Sequence, residues 1–162
     1  MVSIGQVINA MIEYYAGDVR RVNHFLKVYG FVKAIGEAEG LADGTQQILE
    51  IAALTHDIGI KNSEKKYNSS AGNYQQIEGP PEAKKLLEEL DVDEAVIDRV
   101  CWLIAHHHIY TDIQGIDYQI LVETDFLVNA YEDNMSIEAV NNFRDKVFKT
   151  KSGNKLLNKL YY

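Results

Sequence analysis

Cysteine is almost absent from this sequence: Cys101 is the only one in 162 residues. A single thiol excludes an internal disulfide and any cysteine-based zinc cluster. Proline is equally scarce. The only two prolines are adjacent, Pro80 and Pro81, which favours helices over a turn-rich β fold. Positive charge is in deficit, with 16 Lys and Arg against 24 Asp and Glu and a net charge of −8. Nucleic-acid backbones call for basic patches, so this balance argues against one as the main partner. It leaves room for a small phosphorylated molecule, because a metal can supply local positive charge. No apolar run is long enough to span a bilayer. The first residues lack the basic n-region of a secretory signal. Cytoplasm is the expected location, with no membrane partner.

What is present is helical periodicity. The apolar and charged fractions, 46% and 25%, are those of a soluble globular protein. The length suits a single domain over residues 1–162 with a full hydrophobic core. Val7, Ile8, Met11, Ile12 and Tyr15 form one helical stripe. Asp18 caps a second helix over about 19–38, and Asp43 or Thr45 is placed to cap a third that ends near Ile58. Gly59 reads as its stop. Residues 61–79 read as an irregular polar stretch, of the kind that forms lids and binding loops. Pro80 and Pro81 then fit the first turn of a new helix. Further helices follow over about 93–108, 117–132 and 136–161. No strand-length alternation occurs. The expectation is an all-α orthogonal multi-helix bundle, with a core over about 18–132 and C-terminal helices packed on it.

Two acidic residues sit where burial is expected. The helix Ile48-Leu49-Glu50-Ile51-Ala52-Ala53-Leu54 is apolar nearly all round and runs into His56-Asp57. Asp125 interrupts a second such helix, between Leu121-Val122 and Phe126-Leu127-Val128. A buried carboxylate is costly unless a metal or partner charge satisfies it. One buried Asp can be a structural hydrogen-bonding residue, and a lone His on an apolar face is ordinary core. His24, beside Phe25, completes a set of two His and two Asp. Carboxylate and imidazole ligands from different helices suit a divalent cation in a bundle. Adjacent residues diverge by about 100° on a helix. His56 and Asp57 can therefore share an ion only in the wedge near the helix end.

Taken in order, His24, His56-Asp57 and Asp125 resemble the H…HD…D signature of the HD-domain superfamily of metal-dependent phosphohydrolases. The separations match it: 32 residues from His24 to His56 and 68 from Asp57 to Asp125. So does the local text, Arg21-Val22-Asn23-His24 and Thr55-His56-Asp57-Ile58-Gly59. The resemblance implies an all-α fold with His24, His56, Asp57 and Asp125 as ligands of a divalent metal. Mn, Fe, Co, Ni, Zn and Mg are not distinguished by these residues. It implies hydrolysis of a small phosphorylated substrate, such as a nucleotide or related phosphoester, through metal-activated water.

Three of the five histidines are consecutive, His106, His107 and His108. The apolar phase of their helix carries to His107 and His108 and turns His106 away. Dinuclear relatives place extra His here, so these two are candidates for a second metal or for substrate. The resemblance also implies a further His before the helix at Pro80, where this sequence has Glu78. Glu78 is a candidate base or second-metal ligand, or a surface residue favoured by a helix N-terminus. Arg21 and Lys61 are the candidates for phosphate contact, and Lys65 and Lys66 are weaker ones. Asn129, one turn beyond Asp125, is a candidate to orient a ligand or touch substrate, or a buried structural amide. Two other functions fit the same fold: a non-catalytic metal- or nucleotide-binding module, and a di-iron oxygenase. The latter needs a complete second metal site.

Overall fold

The computed structural model describes residues 2–162. Among these it contains nine helices and no strand: α1 Ile4–Tyr14, α2 Val19–Ala38, α3 Asp43–Thr55, α4 Ile60–Tyr67, α5 Gly72–Glu89, α6 Glu94–His106, α7 Ile116–Glu132, α8 Ile137–Val147 and α9 Lys151–Tyr161. The all-α bundle expected from the periodicity is the fold observed. No helix among the described residues is long and apolar enough to cross a membrane.

The bundle is organised around α3. Every residue from Leu49 to Thr55 is buried, and α3 packs against α1, α2, α6 and α7. A helix apolar all round needs neighbours on every side, and these four helices supply them. α7 is the second central helix; each residue from Asp117 to Val128 is buried. Local signals place several termini. Ser3 and Gln6 form a reciprocal capping box at α1. Asp18, Ser136 and Thr150 each accept an early backbone N–H of the helix they precede.

The stretch 61–79 departs from the sequence reading. It is helical except for a short turn around residues 68–71. α4 buries only Ile60 and Ser63, and the first half of α5 buries Gln75, Glu78 and Gly79. With so few apolar anchors, tertiary packing and not hydrophobic periodicity makes these segments helical. Pro80 and Pro81 therefore lie inside α5 and do not open it. They supply no amide to the carbonyls of Gln76 and Ile77. Close backbone packing stands against that loss. A Cβ on Gly59 would lie 2.6 Å from the Gly79 nitrogen, and one on Gly79 would lie 2.6 Å from Ile104 Cγ2. Gly59 has φ −73°, so it serves close approach and is no left-handed stop. α3 also starts without a side-chain cap: Ala42 is its N-cap, and Asp43 is its first residue.

Candidate metal centre

The His56-Asp57 pair lies at the junction of α3 and α4, where helical hydrogen bonding lapses. His56 is the C-cap of α3. Its Nδ1 lies 2.7 Å from the Ala53 carbonyl, one of the acceptors a helix end leaves free. A carbonyl only accepts, so Nδ1 carries a proton and Nε2 is the ring nitrogen turned to the cluster. His107 repeats the device at the end of α6. It is the C-cap, and its Nδ1 lies 2.7 Å from the Ile104 carbonyl. His24, in the second turn of α2, is held by a carboxylate instead: its Nδ1 lies 2.5 Å from Glu132 Oε1. Lys27 pairs with the other Glu132 oxygen at 2.7 Å. Three imidazoles are thus oriented through Nδ1 with Nε2 turned to the cluster, the arrangement that outer partners impose on metal-binding histidines.

Those Nε2 atoms converge on two carboxylates. His24 Nε2 lies 3.1 Å from Asp57 Oδ2, 3.1 Å from Asp125 Oδ1 and 3.2 Å from His56 Nε2. His56 Nε2 lies 3.4 Å from Asp57 Oδ2 and 3.2 Å from Asp125 Oδ1. Ligands about 2.1 Å from one ion stand about 3.0–3.4 Å apart. The observed spacings fall in that range. Asp57 faces both ways, since its Oδ1 lies 3.5 Å from His107 Nε2. That nitrogen is fully buried and has no hydrogen-bond partner among the described residues. An orphaned buried lone pair is costly, and a cation is the partner that fits an acceptor facing a carboxylate. Donor atoms of Asp57, His107 and His108 form a second group within 4.8 Å of one another. Both groups could hold a metal ion, and Asp57 belongs to both.

Without an ion, the imidazoles and carboxylates balance one another's charge. Burial alone pushes the His24 imidazole down, but Asp125 and Asp57 outweigh it and hold it at about 10. His56 is likewise lifted against its burial by the same two carboxylates. Burial opposes charge on Asp57, yet His56, His107 and His24 keep its carboxyl well below the usual range. Asp125 is held low against its burial by His56 and His24. His108 differs: burial and the adjacent His107 push it down to about 4. It is neutral at pH 7, as a ligand must be. The charges reach Tyr110, whose hydroxyl is raised to about 12 by burial and then by Asp125 and Asp57.

A polar cleft of ≈ 320 Å³ opens over this cluster, lined by Arg20, Arg21, His24, Asp57, Ser70, Gln75, His108 and Asp125 among others. A model of the HD domain family matches residues 21–140, most of the chain. The chain belongs to the HD domain family. A similar solved structure, described as a predicted HD superfamily hydrolase from an uncultured Thermotogales bacterium, is 21% identical. It covers 97% of this chain and 84% of its own, with a TM-score of 0.69. That likeness shows the HD fold. No curated protein matches the sequence significantly.

The remaining candidates of this HD protein divide sharply. Arg21 lines the cleft, with its guanidinium 2.9 Å from Glu64 Oε1. Asn129 lines it too. His106 turns away and stacks on Trp102, ring centroids 3.9 Å apart. Lys61 is a correction. It projects toward α1, with Nζ 3.0 Å from the Tyr14 carbonyl and 4.9 Å from the Tyr14 ring centroid. One helical turn beyond the Asp57 junction has carried it off the cleft. Glu78 is a second correction. It is buried against Lys66 and belongs to neither donor group. Because α5 begins at Gly72, its side chain at the cleft is Gln75, one turn earlier. Gln75 Nε2 donates to the Ser70 carbonyl at 2.7 Å, leaving Oε1 to accept from His108 Nε2 at 3.1 Å. Arg20, Gln75 and Glu132 escaped the sequence reading. Only Glu132 left a signal there, as it shares a helical face with Asp125 and Asn129.

Proposed function

We propose that this HD protein is a divalent-metal-dependent hydrolase of a small phosphorylated substrate, a nucleotide or related phosphoester. The observation that carries the reading is the set of four donor atoms of His24, His56, Asp57 and Asp125 at ligand spacing beneath a cleft bearing two arginines. Asp57, His107 and His108 are the residues for a second ion. Mixed nitrogen and oxygen donors suit Mn, Fe, Co, Ni or Zn. When bound, a divalent cation supplies positive charge beside a phosphoryl oxygen and makes an attached water acidic.

The protein's own groups do the rest. Hydrolysis joins a water oxygen to phosphorus, breaks the bond to the organic oxygen, and returns a proton to that oxygen. Arg20 and Arg21 offer guanidinium groups for bidentate phosphate contact. Arg21 must exchange Glu64 for phosphate to do so. Glu132 fixes the His24 ring, and the Ala53 and Ile104 carbonyls fix His56 and His107. Gln75 ties His108 to the wall of the cleft.

The test is a phosphate-release screen over nucleotides and other phosphoesters, with chelated protein reloaded with each metal in turn. The expected result is metal-dependent release that is absent in Asp57→Ala. Tight nucleotide binding without release under every metal would overturn the hydrolase reading and favour a binding module.

A further inference from the structure

Asp125 and Asn129 line the charged cleft, and the same two residues line a second pocket of ≈ 270 Å³ between α7 and α8. The two cavities therefore adjoin beside the donor cluster, with these two side chains in the wall of each. Their walls are unlike. The first is built of charged and amide groups, whereas the second is built of Tyr110, Phe126, Met135 and Phe143. Phe126 and Phe143 stack face to face at 3.9 Å, and Tyr110 meets Phe143 edge-on at 5.1 Å. Tyr110 keeps 44% of its surface exposed, so core packing does not consume its ring. Met135 adds a polarizable thioether. Two amides, Asn129 and Asn142, complete the lining. Their side chains make no hydrogen bond among the described residues, and each offers both donors and an acceptor. Among the described residues Asp125 is the only charged one lining the pocket, so they offer an anionic phosphoryl group no cationic partner there.

We propose that this second pocket is the subsite for the organic part of the substrate, taking a planar heteroaromatic ring whose polar edge is read by Asn129 and Asn142. The inference rests on the phosphohydrolase reading above. The phosphoryl group then lies in the arginine-bearing cleft and the ring against Tyr110 and Met135, with Asp125 and Asn129 between them. Ring stacking tolerates differences among bases, while the amides discriminate among ring edges.

The experiment compares ribose 5-phosphate with the nucleoside 5′-monophosphates on metal-loaded protein. Both break the same bond to the same kind of alkoxide, and they differ only in the ring. The expected kcat/KM for at least one nucleotide exceeds that for ribose 5-phosphate by about 10-fold or more. Ala139 lies on the exposed rim of the pocket, so Ala139→Trp should fill the subsite and bring that ratio toward 1. Asn142→Ala should change the ranking among bases. Equal rates in the wild type, or an unchanged ratio in Ala139→Trp, would overturn the subsite and leave the hydrolase reading standing. If neither compound releases phosphate, the wider phosphoester screen above decides the hydrolase reading. Ligand-observed NMR of free nucleosides with chelated protein then decides the subsite. Binding that Ala139→Trp abolishes supports it, and no binding to the wild type overturns it.

Discussion

Glu123 and Asp125 lie two residues apart on α7, and both are buried. Glu123 faces the junction of α8 and α9. Its Oε2 accepts from the Lys149 amide at 2.9 Å, the Thr150 amide at 3.0 Å and Gln119 Nε2 at 2.6 Å, and its Oε1 accepts from Thr150 Oγ1 at 2.5 Å. Gly153 leaves room for it, since a Cβ there would lie 2.0 Å from Oε1. Asp125 faces the opposite side of the helix and meets no such donors. Its Oδ1 has only the two imidazole nitrogens of His24 and His56, with Asp57 close by. Burial alone therefore does not mark a ligand. A carboxylate satisfied by backbone amides is a structural tie, whereas one that meets only titratable groups and another carboxylate calls for a cation.

The strongest way to break this contrast is to remove each carboxylate in turn. Glu123→Ala should cost roughly 3–5 kcal/mol, because buried amides at residues 149 and 150 lose their acceptor. Its metal content should be unchanged in whatever fraction folds. Asp125→Asn should do the reverse and abolish metal binding and phosphate release. Its melting midpoint in chelator should fall, through the loss of the His24 and His56 contacts, but by less than that of Glu123→Ala. Denaturant unfolding and metal analysis read both effects. Equal stability loss in the two variants would erase the distinction.

A smaller change tests how the site is held. Glu132 touches His24 through Nδ1, on the far side of the ring from Asp125. Glu132→Gln should weaken metal affinity about 10–100-fold without removing it. Calorimetric titration would show this, and unchanged affinity would mean that the His24 ring needs no such support.

The pH dependence of the chelated protein sharpens the same comparison. His24 is held above its unfolded value of about 6.5, at about 10. Its contribution to stability is complete below about pH 6.5 and is lost as pH rises toward 10. Asp57 and Asp125 are held below the unfolded carboxyl value of about 3.9. Their contribution is complete above that pH and is lost on acidification. His108, held at about 4, works the other way and costs stability as pH falls below about 6.5, so chelated protein should be most stable at about pH 6.5. In Asp125→Asn the alkaline loss should shrink, because His24 loses its first partner. Melting curves across pH check this.

The smallest expected effect is at Lys61. Its ammonium is engaged by the Tyr14 carbonyl, so Lys61→Ala should leave metal content and phosphate release unchanged. A large loss of release would return Lys61 to the cleft.

The contrast on α7 also shows what a sequence makes legible. Asp125 and His56-Asp57 stand out because their neighbours are apolar, and the same patterns place α2, α3, α6 and α7. Glu123 sits in the same apolar run, but its four donors come from residues 119 and 149–150, and nothing local announces them. α4 and the start of α5 were hidden for a related reason. Their helicity depends on Gly59 and Gly79 allowing close approach, a tertiary fact. Glu78 stands out only through the resemblance, at the place of a further His, whereas the α5 residue that lines the cleft is Gln75, one turn earlier. The devices that orient His56 and His107 through carbonyls three residues back become visible only once both helices are seen to end there.

Asp57 belongs to both donor groups, so the most direct test is metal stoichiometry. Wild type and Asp57→Ala would be purified side by side, chelated, reloaded with Mn, Fe, Co, Ni or Zn, and analysed for bound ion. The wild type should retain at least about one ion per chain. The Asp57→Ala variant should be folded by circular dichroism and retain none. Full metal content in Asp57→Ala, or no retention of any metal by the wild type, would contradict the account.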